Sequence, residues 1–184
     1  MKDSFPTALA FVWRKGFDDP ADGYHVTPGD PGGGTKGGVI EATWAKAAAD
    51  GIVQGALINA TRTQLSAVLD MKFWGQPCDA LPAGLDLLLF NGRMITGRYP
   101  WLFQQTLGFM GPEDVDGSIG PDTLEAARAC HPQTFINALC GAHAAYLAEL
   151  PIWNRFGAGW TTRIKAARTA ALALANATTV AAES

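Results

Sequence analysis

The sequence predicts a mainly α chain interrupted by one short β-hairpin, and three observations predict it. Alanine-rich segments with apolar residues at helical spacing fill most of the chain. Pro and Gly stand where helices start and stop, as at Pro6, Gly16, Pro121 and Pro132. The exception is the ribbon from Asp22 to Gly38, where glycines crowd around Asp30 and Thr35. Glycine costs roughly 1 kcal/mol relative to alanine in regular structure. Such a cluster therefore marks a tight loop or hairpin, either a plain surface turn or a place where a ligand approaches the backbone.

The elements follow in order. Ser4 caps a first helix with Pro6 in its first turn, and Phe5, Ala8, Leu9, Val12 and Trp13 share its apolar face until Gly16 stops it. After the ribbon, Ile40 to Ala49 and Thr63 to Phe73 read as packing helices, the second with Leu65, Val68, Leu69 and Phe73 on one side. Pro82 opens the most hydrophobic segment, Leu85-Asp86-Leu87-Leu88-Leu89-Phe90, whose apolar residues surround the helix axis as a central helix requires. Tyr99 to Leu107 forms the next helix. The turn Asp116-Gly117-Ser118-Ile119-Gly120-Pro121 delivers the chain into Asp122 to Ala129. Pro132 starts a long helix through Leu150, and a last one runs from Trp160 to Asn176 before a small-residue tail, 177–184, expected to fray. No repeat of solenoid period is present.

A chain of 184 residues that is 48% hydrophobic and 17% charged buries a real core and is not a disordered segment. Its net charge of -3 lacks the basic surplus that nucleic-acid binding requires, so no nucleic-acid partner is expected. Arg155, Arg163, Lys165 and Arg168 gather on one segment as a solvated helix face. Cys78, Cys130 and Cys140 are odd in number and have no metal-like spacing, so buried free thiols are expected, with no metal and no cofactor. The apolar stretch Phe5 to Trp13 is too short to span a bilayer and no cleavage site follows it, so no membrane insertion and no export signal are expected.

Acidic side chains crowd the ribbon and its flanks: Asp18, Asp19, Asp22, Asp30 and Glu41. A glycosidase needs two such groups across the bond it breaks, one to protonate the leaving oxygen and one to activate water or stabilise positive charge on the sugar. The same aspartates, placed before Pro or Gly, also serve as ordinary turn formers. Thr35 has a hydroxyl able to orient water, and His25 titrates near neutral pH. Each also fits a plain strand position. His131 and His143 are assigned no catalytic role, and no nucleophile lies in a recognisable elbow.

The run Asp22-Gly23-Tyr24 to Asp30-Pro31-Gly32-Gly33-Gly34-Thr35 resembles the signature of glycoside hydrolase family 108, Glu-Gly-Gly-Tyr followed by Asp-Pro-Gly-Gly-x-Thr. Phe73-Trp74, Asp79-x-Leu81-Pro82, Leu89-Phe90, Asp116-Gly117-x-Ile119-Gly120-Pro121-x-Thr123-Leu124 and Phe156-Gly157-x-Gly159-Trp160 resemble the rest of that family in the same order, including its C-terminal peptidoglycan-binding region. The resemblance implies a lysozyme-like helical fold and muramidase activity, cleaving glycan between N-acetylmuramic acid and N-acetylglucosamine. It implies an endolysin-like protein of a phage or bacterium, made in the cytoplasm and acting on the cell wall after release. It also implies an N-terminal lysozyme-like part over residues 1–97 and a C-terminal peptidoglycan-binding part over 98–176.

Asp30 and Thr35 match the family's hairpin residues, but its helix-end glutamate has no counterpart: Ala21 or Gly16 stands there, according to register. The expected catalytic set is therefore Asp30 and Thr35 with Asp19 or Asp22 as relocated acid, its pKa raised by burial against Phe17, Tyr24 or Trp44. Tyr24, His25, Gly33, Glu41 and Asn91 are the expected substrate contacts, Asn91 replacing the aspartate of a family Phe-Asp pair. Two alternatives stand beside the muramidase: a relative that holds peptidoglycan without cutting it, and a glycosidase of the same fold acting on chitin.

Overall fold

A computed structural model describes residues 4–14, 17–28 and 33–182. Among them the fold is mainly α with a small antiparallel sheet, as the sequence predicts. The chain divides into two compact units, one spanning Phe5–Gly75 and the other running from Gln76 onward with Ser4.

The first unit begins with helix α1 (Ser4–Val12), whose Ala8, Phe11 and Val12 are buried. Beyond it Phe17 folds back edge-on to Phe11, with ring centroids 5.7 Å apart, and the Arg14 guanidinium lies over both rings. A short 3-10 turn, Pro20–Asp22, leads to strands β1 (His25–Val26), β2 (Gly34–Lys36) and β3 (Val39–Ile40). The sheet order is β1-β2-β3, both pairs antiparallel, with β2 central and Thr35 opposite His25 on one side and Ile40 on the other. The expected single hairpin thus carries a third strand. Gly37 and Gly38 connect β2 to β3 with φ of +55° and +79°, the two positive values that a type I′ turn requires and that glycine adopts without strain.

Helices α2 (Glu41–Ala49) and α3 (Arg62–Leu69) pack on this sheet, burying Trp44, Ala47, Leu65, Val68 and Leu69. Thr61 and Gln64 start α3 with reciprocal capping bonds. Two indoles tie loops to helices: Trp13 Nε1 donates to Gly37 O at 3.0 Å and Trp44 Nε1 to Gly55 O at 2.8 Å. After α3 the chain widens into a π-helical turn, Asp70–Trp74, so the helix expected through Phe73 is α-helical only to Leu69.

The second unit contains the remainder of helix α4 (Gly75–Ala80) and helices α5 (Leu85–Ile95), α6 (Tyr99–Thr106), α7 (Pro121–Ala129), α8 (Pro132–Ala148) and α9 (Trp153–Ala182). Every residue of α5 from Leu85 to Gly92 is buried, which is the core-helix role its all-round hydrophobicity predicts. Asp86 is the charged exception. Its Oδ1 accepts from Gly84 N at 2.8 Å and Leu87 N at 2.6 Å, while burial pushes its carboxyl up from the ordinary value. Gly84 has φ of +89°, and a Cβ there would sit 2.4 Å from the Ala171 carbonyl oxygen, so only glycine lets α5 start against α9. Ile164, Ala167, Ala171 and Ala175 form the buried stripe of α9.

Two element boundaries differ from expectation. Helix α9 begins at Trp153, seven residues before Trp160, because Gly157 serves as a packing position inside it: a Cβ would meet the Trp153 indole at 2.6 Å. It then continues through residues 177–182, where alanine, the best helix former, sustains it. By contacts, α5 groups with the C-terminal helices in the second unit.

Candidate active site

The sheet and the start of α2 assemble the candidate site. Tyr24 precedes β1 and its ring crosses over Gly34, the first residue of β2; a Cβ on Gly34 would lie 1.9 Å from the phenol oxygen. The absence of a side chain at 34 is what admits the ring. From there Tyr24 Oη donates to Glu41 Oε1 at 2.6 Å, a short bond of the kind a carboxylate makes with a hydroxyl. The bond to Glu41 is the main cause holding the Tyr24 phenol above its usual value. Gly33, with φ of +71°, places its backbone against the same carboxylate, whose Oε2 would lie 3.9 Å from a Cβ. Glu41 is exposed at the first turn of α2, where the positive end of the helix favours a negative side chain. The carboxylate and phenol, seventeen residues apart in sequence, thus form one polar edge beside the hairpin.

The other expected site residues divide sharply. Thr35 is half-buried in the central strand. His25 is exposed on the outer strand opposite it. Asp19 is committed to local structure: its carboxylate caps the 3-10 turn, accepting from Ala21 N at 2.9 Å, and faces Arg62 at 3.9 Å. Asp22 ends that turn and is exposed, its amide donating to Asp19 O at 3.0 Å. Asp30, like Gly16, lies outside the described residues.

Asn91 lies on α5 in the second unit. It is 2% exposed and accepts from Arg163 Nε at 2.7 Å. The half-buried Arg163 guanidinium needs an acceptor, and Asn91, itself buried, supplies it in place of an exposed contact with a glycan. Nearby His143 is also buried, edge-on to Tyr99 at 4.7 Å. Burial first, then the Arg163 charge, pushes its imidazole down to about 4.

Among the described residues no group of three His, Cys, Asp or Glu side chains is placed to hold a metal ion. No helix searched is long and apolar enough to cross a membrane.

A mainly helical fold with a small sheet, a threonine on its central strand and a carboxylate–phenol pair beside it, belongs to the lysozyme-like class. The glycosyl hydrolase 108 model matches residues 22–97, and the model described as a predicted peptidoglycan domain matches residues 100–165. A solved structure titled "Structure of Brucella abortus SagA" is similar at 32% identity, covering 95% of this chain and 97% of that one with a TM-score of 0.79. No curated protein matches. The chain belongs to the glycosyl hydrolase 108 family, and with its peptidoglycan domain this supports a lytic function on peptidoglycan.

Proposed function

We propose that the protein is an N-acetylmuramidase that hydrolyses the glycan strand of bacterial peptidoglycan, with the acid supplied from the turn preceding the hairpin. The observation that carries this reading is the Tyr24–Glu41 pair beside Thr35's sheet, an edge able to hold sugar hydroxyls. Asp22 is the freer of the two acids. Protonating Asp19 would give up its bond to Ala21 N and its attraction to Arg62, whereas Asp22 is exposed at the end of the turn. Asp22 is not buried against Phe17, Tyr24 or Trp44 as expected, so the burial that favours its protonated form has to come from the bound glycan.

In this scheme Asp22 gives its proton to the glycosidic oxygen as the bond to the muramic acid C1 breaks. Asp30 stabilises the cationic sugar or activates the water that completes hydrolysis, Thr35 orients that water, and Tyr24, His25, Gly33 and Glu41 line the glycan. Action on the wall follows synthesis in the cytoplasm and release.

A second reading, a relative that holds peptidoglycan without cutting it, is favoured by one specific observation. The missing helix-end glutamate is not replaced by Asp19, whose carboxylate is occupied. Incubating the full chain with purified peptidoglycan separates the two. Release of reducing ends, falling by about 10²- to 10⁴-fold in Asp22→Asn, supports the donor assignment. Pull-down without new ends supports the binder. Equal cleavage of acetylglucosamine oligomers, which lack the lactyl group, would shift the substrate to chitin.

A further inference from the structure

We propose that a groove in the C-terminal unit is a second glycan subsite, separate in sequence from the hairpin, that takes an N-acetylated sugar bearing a free carboxylate: the muramic acid unit of peptidoglycan glycan whose stem peptide has been removed. The inference rests on the peptidoglycan reading above and adds the place and the chemistry of recognition.

The groove has a volume of about 860 Å³ and is walled by Arg98, Trp101, Gln105, Phe109, Val115 and Asp116. Cavities of about 300 to 1,000 Å³ accommodate small ligands. It lies within the stretch that matches the peptidoglycan domain, apart from Arg98 two residues before it.

Its far wall is a fixed structure. Gln104, 2% exposed on α6, donates from Nε2 to Asp116 Oδ1 at 2.9 Å and to Ser118 O at 3.0 Å, and its Oε1 accepts from Gly117 N at 2.7 Å. One buried amide thus clamps the turn that carries Asp116. Gly117, with φ of +79°, closes that turn onto Trp101, where a Cβ would stand 2.5 Å from the indole. The indole is therefore held in place by backbone on which no side chain fits.

The lining matches the occupant group by group. Trp101, Phe109 and Val115 offer apolar surface to a pyranose face and to acetyl and lactyl methyl groups, and Met110 at the margin is 81% exposed. Asp116 stays a carboxylate, since bonds from Gln104 and then Ser118 hold its pKa below the ordinary value, and it accepts sugar hydroxyls or amide N–H groups. The exposed amide of Gln105 supplies both donor and acceptor. Arg98, its guanidinium 5.0 Å from the Trp101 ring centroid, offers a planar fork to the lactyl carboxylate that removal of the stem peptide exposes. A neutral chitin strand has no group for that fork, and a bare peptide has no pyranose for the aromatic wall.

The test follows the Trp101 indole N–H resonance of the full chain during titration with three probes: glucosaminyl-muramic acid oligomers freed of peptide, acetylglucosamine tetramer, and stem tripeptide. The muramic oligomer should move the resonance with the tightest midpoint. Arg98→Glu should weaken that midpoint by about tenfold or more, the scale of one lost charge-assisted bond, while leaving the tetramer midpoint unchanged. Phe109→Ser should weaken both sugars, with melting temperatures checked for each variant. Binding of the oligomer without movement of the indole, or equal midpoints in Arg98→Glu, overturns the groove and leaves the peptidoglycan reading intact. A tripeptide as effective as the oligomer overturns the glycan as occupant. No binding of the oligomer anywhere on the chain overturns both.

Discussion

Gly34→Ala tests the candidate site through a single methyl group. The new Cβ would stand 1.9 Å from the Tyr24 phenol oxygen, 2.3 Å from Cζ and 2.6 Å from Cε2. Ordinary contact begins at 3.4 Å, so the ring must retreat by about 1.5 Å, the difference between 3.4 and 1.9. Gly34 lacks a positive φ, so the substitution adds no backbone strain and its effect is steric. A retreat of that size takes the 2.6 Å bond to Glu41 beyond hydrogen-bond reach. Two measurements read the result. Titration of the Tyr24 ring by NMR should show its pKa returning toward the ordinary 10.0 once Glu41 no longer holds the proton. Release of reducing ends from peptidoglycan should fall by about 10²-fold, the usual consequence of misplacing a site group by about 1 Å. Tyr24→Ala should make the second substitution neutral, because the clash and the hydroxyl vanish together. An unshifted Tyr24 titration with full turnover in Gly34→Ala would refute this account of the site.

Leu88→Ala should cost about 2 to 5 kcal/mol, because a fully enclosed leucine leaves a cavity that a packed helix cannot fill. Chemical denaturation checks this, and a loss below about 1 kcal/mol would show that α5 is not the core. His143 ionises near 6.5 when unfolded and near 4 when folded, so its contribution to stability is present above pH 6.5 and lost as pH falls toward 4. His143→Leu should therefore flatten the fall of melting temperature across that window, and parallel profiles would contradict the burial. Asp30→Asn should abolish lysis with little change in melting temperature. A fully lytic variant would remove Asp30 from the mechanism.

The fold was legible wherever a local rule dictates it. Proline at the first positions of α7 and α8 and the all-round apolar run of α5 each name their element without tertiary information. The third strand was also written in the chain, as Gly37-Gly38 between Lys36 and Val39, but the density of surrounding glycines hid a turn that needs only those two. The earlier start of α9 is not legible, because what fits Gly157 inside the helix, the Trp153 indole against its backbone, exists only after folding.

The site was less legible for the same reason. Glu41 stood out as one acid among five, yet its bond to Tyr24 depends on the phenol ring crossing Gly34 once the strands have paired. Asp19 looked like a free acid because capping and the approach of Arg62 are invisible in the sequence, although Asp-Pro is a turn signal. Asn91 resembled a polar site residue, whereas its partner, Arg163, lies seventy-two positions away.

The proposed cut falls at C1 of muramic acid in the peptidoglycan strand. Borohydride reduction of the soluble products followed by mass spectrometry measures it directly. Muramidase cleavage releases fragments ending in reduced N-acetylmuramic acid, absent after treatment with Asp30→Asn. Intact strands, or fragments ending in reduced N-acetylglucosamine, would contradict it.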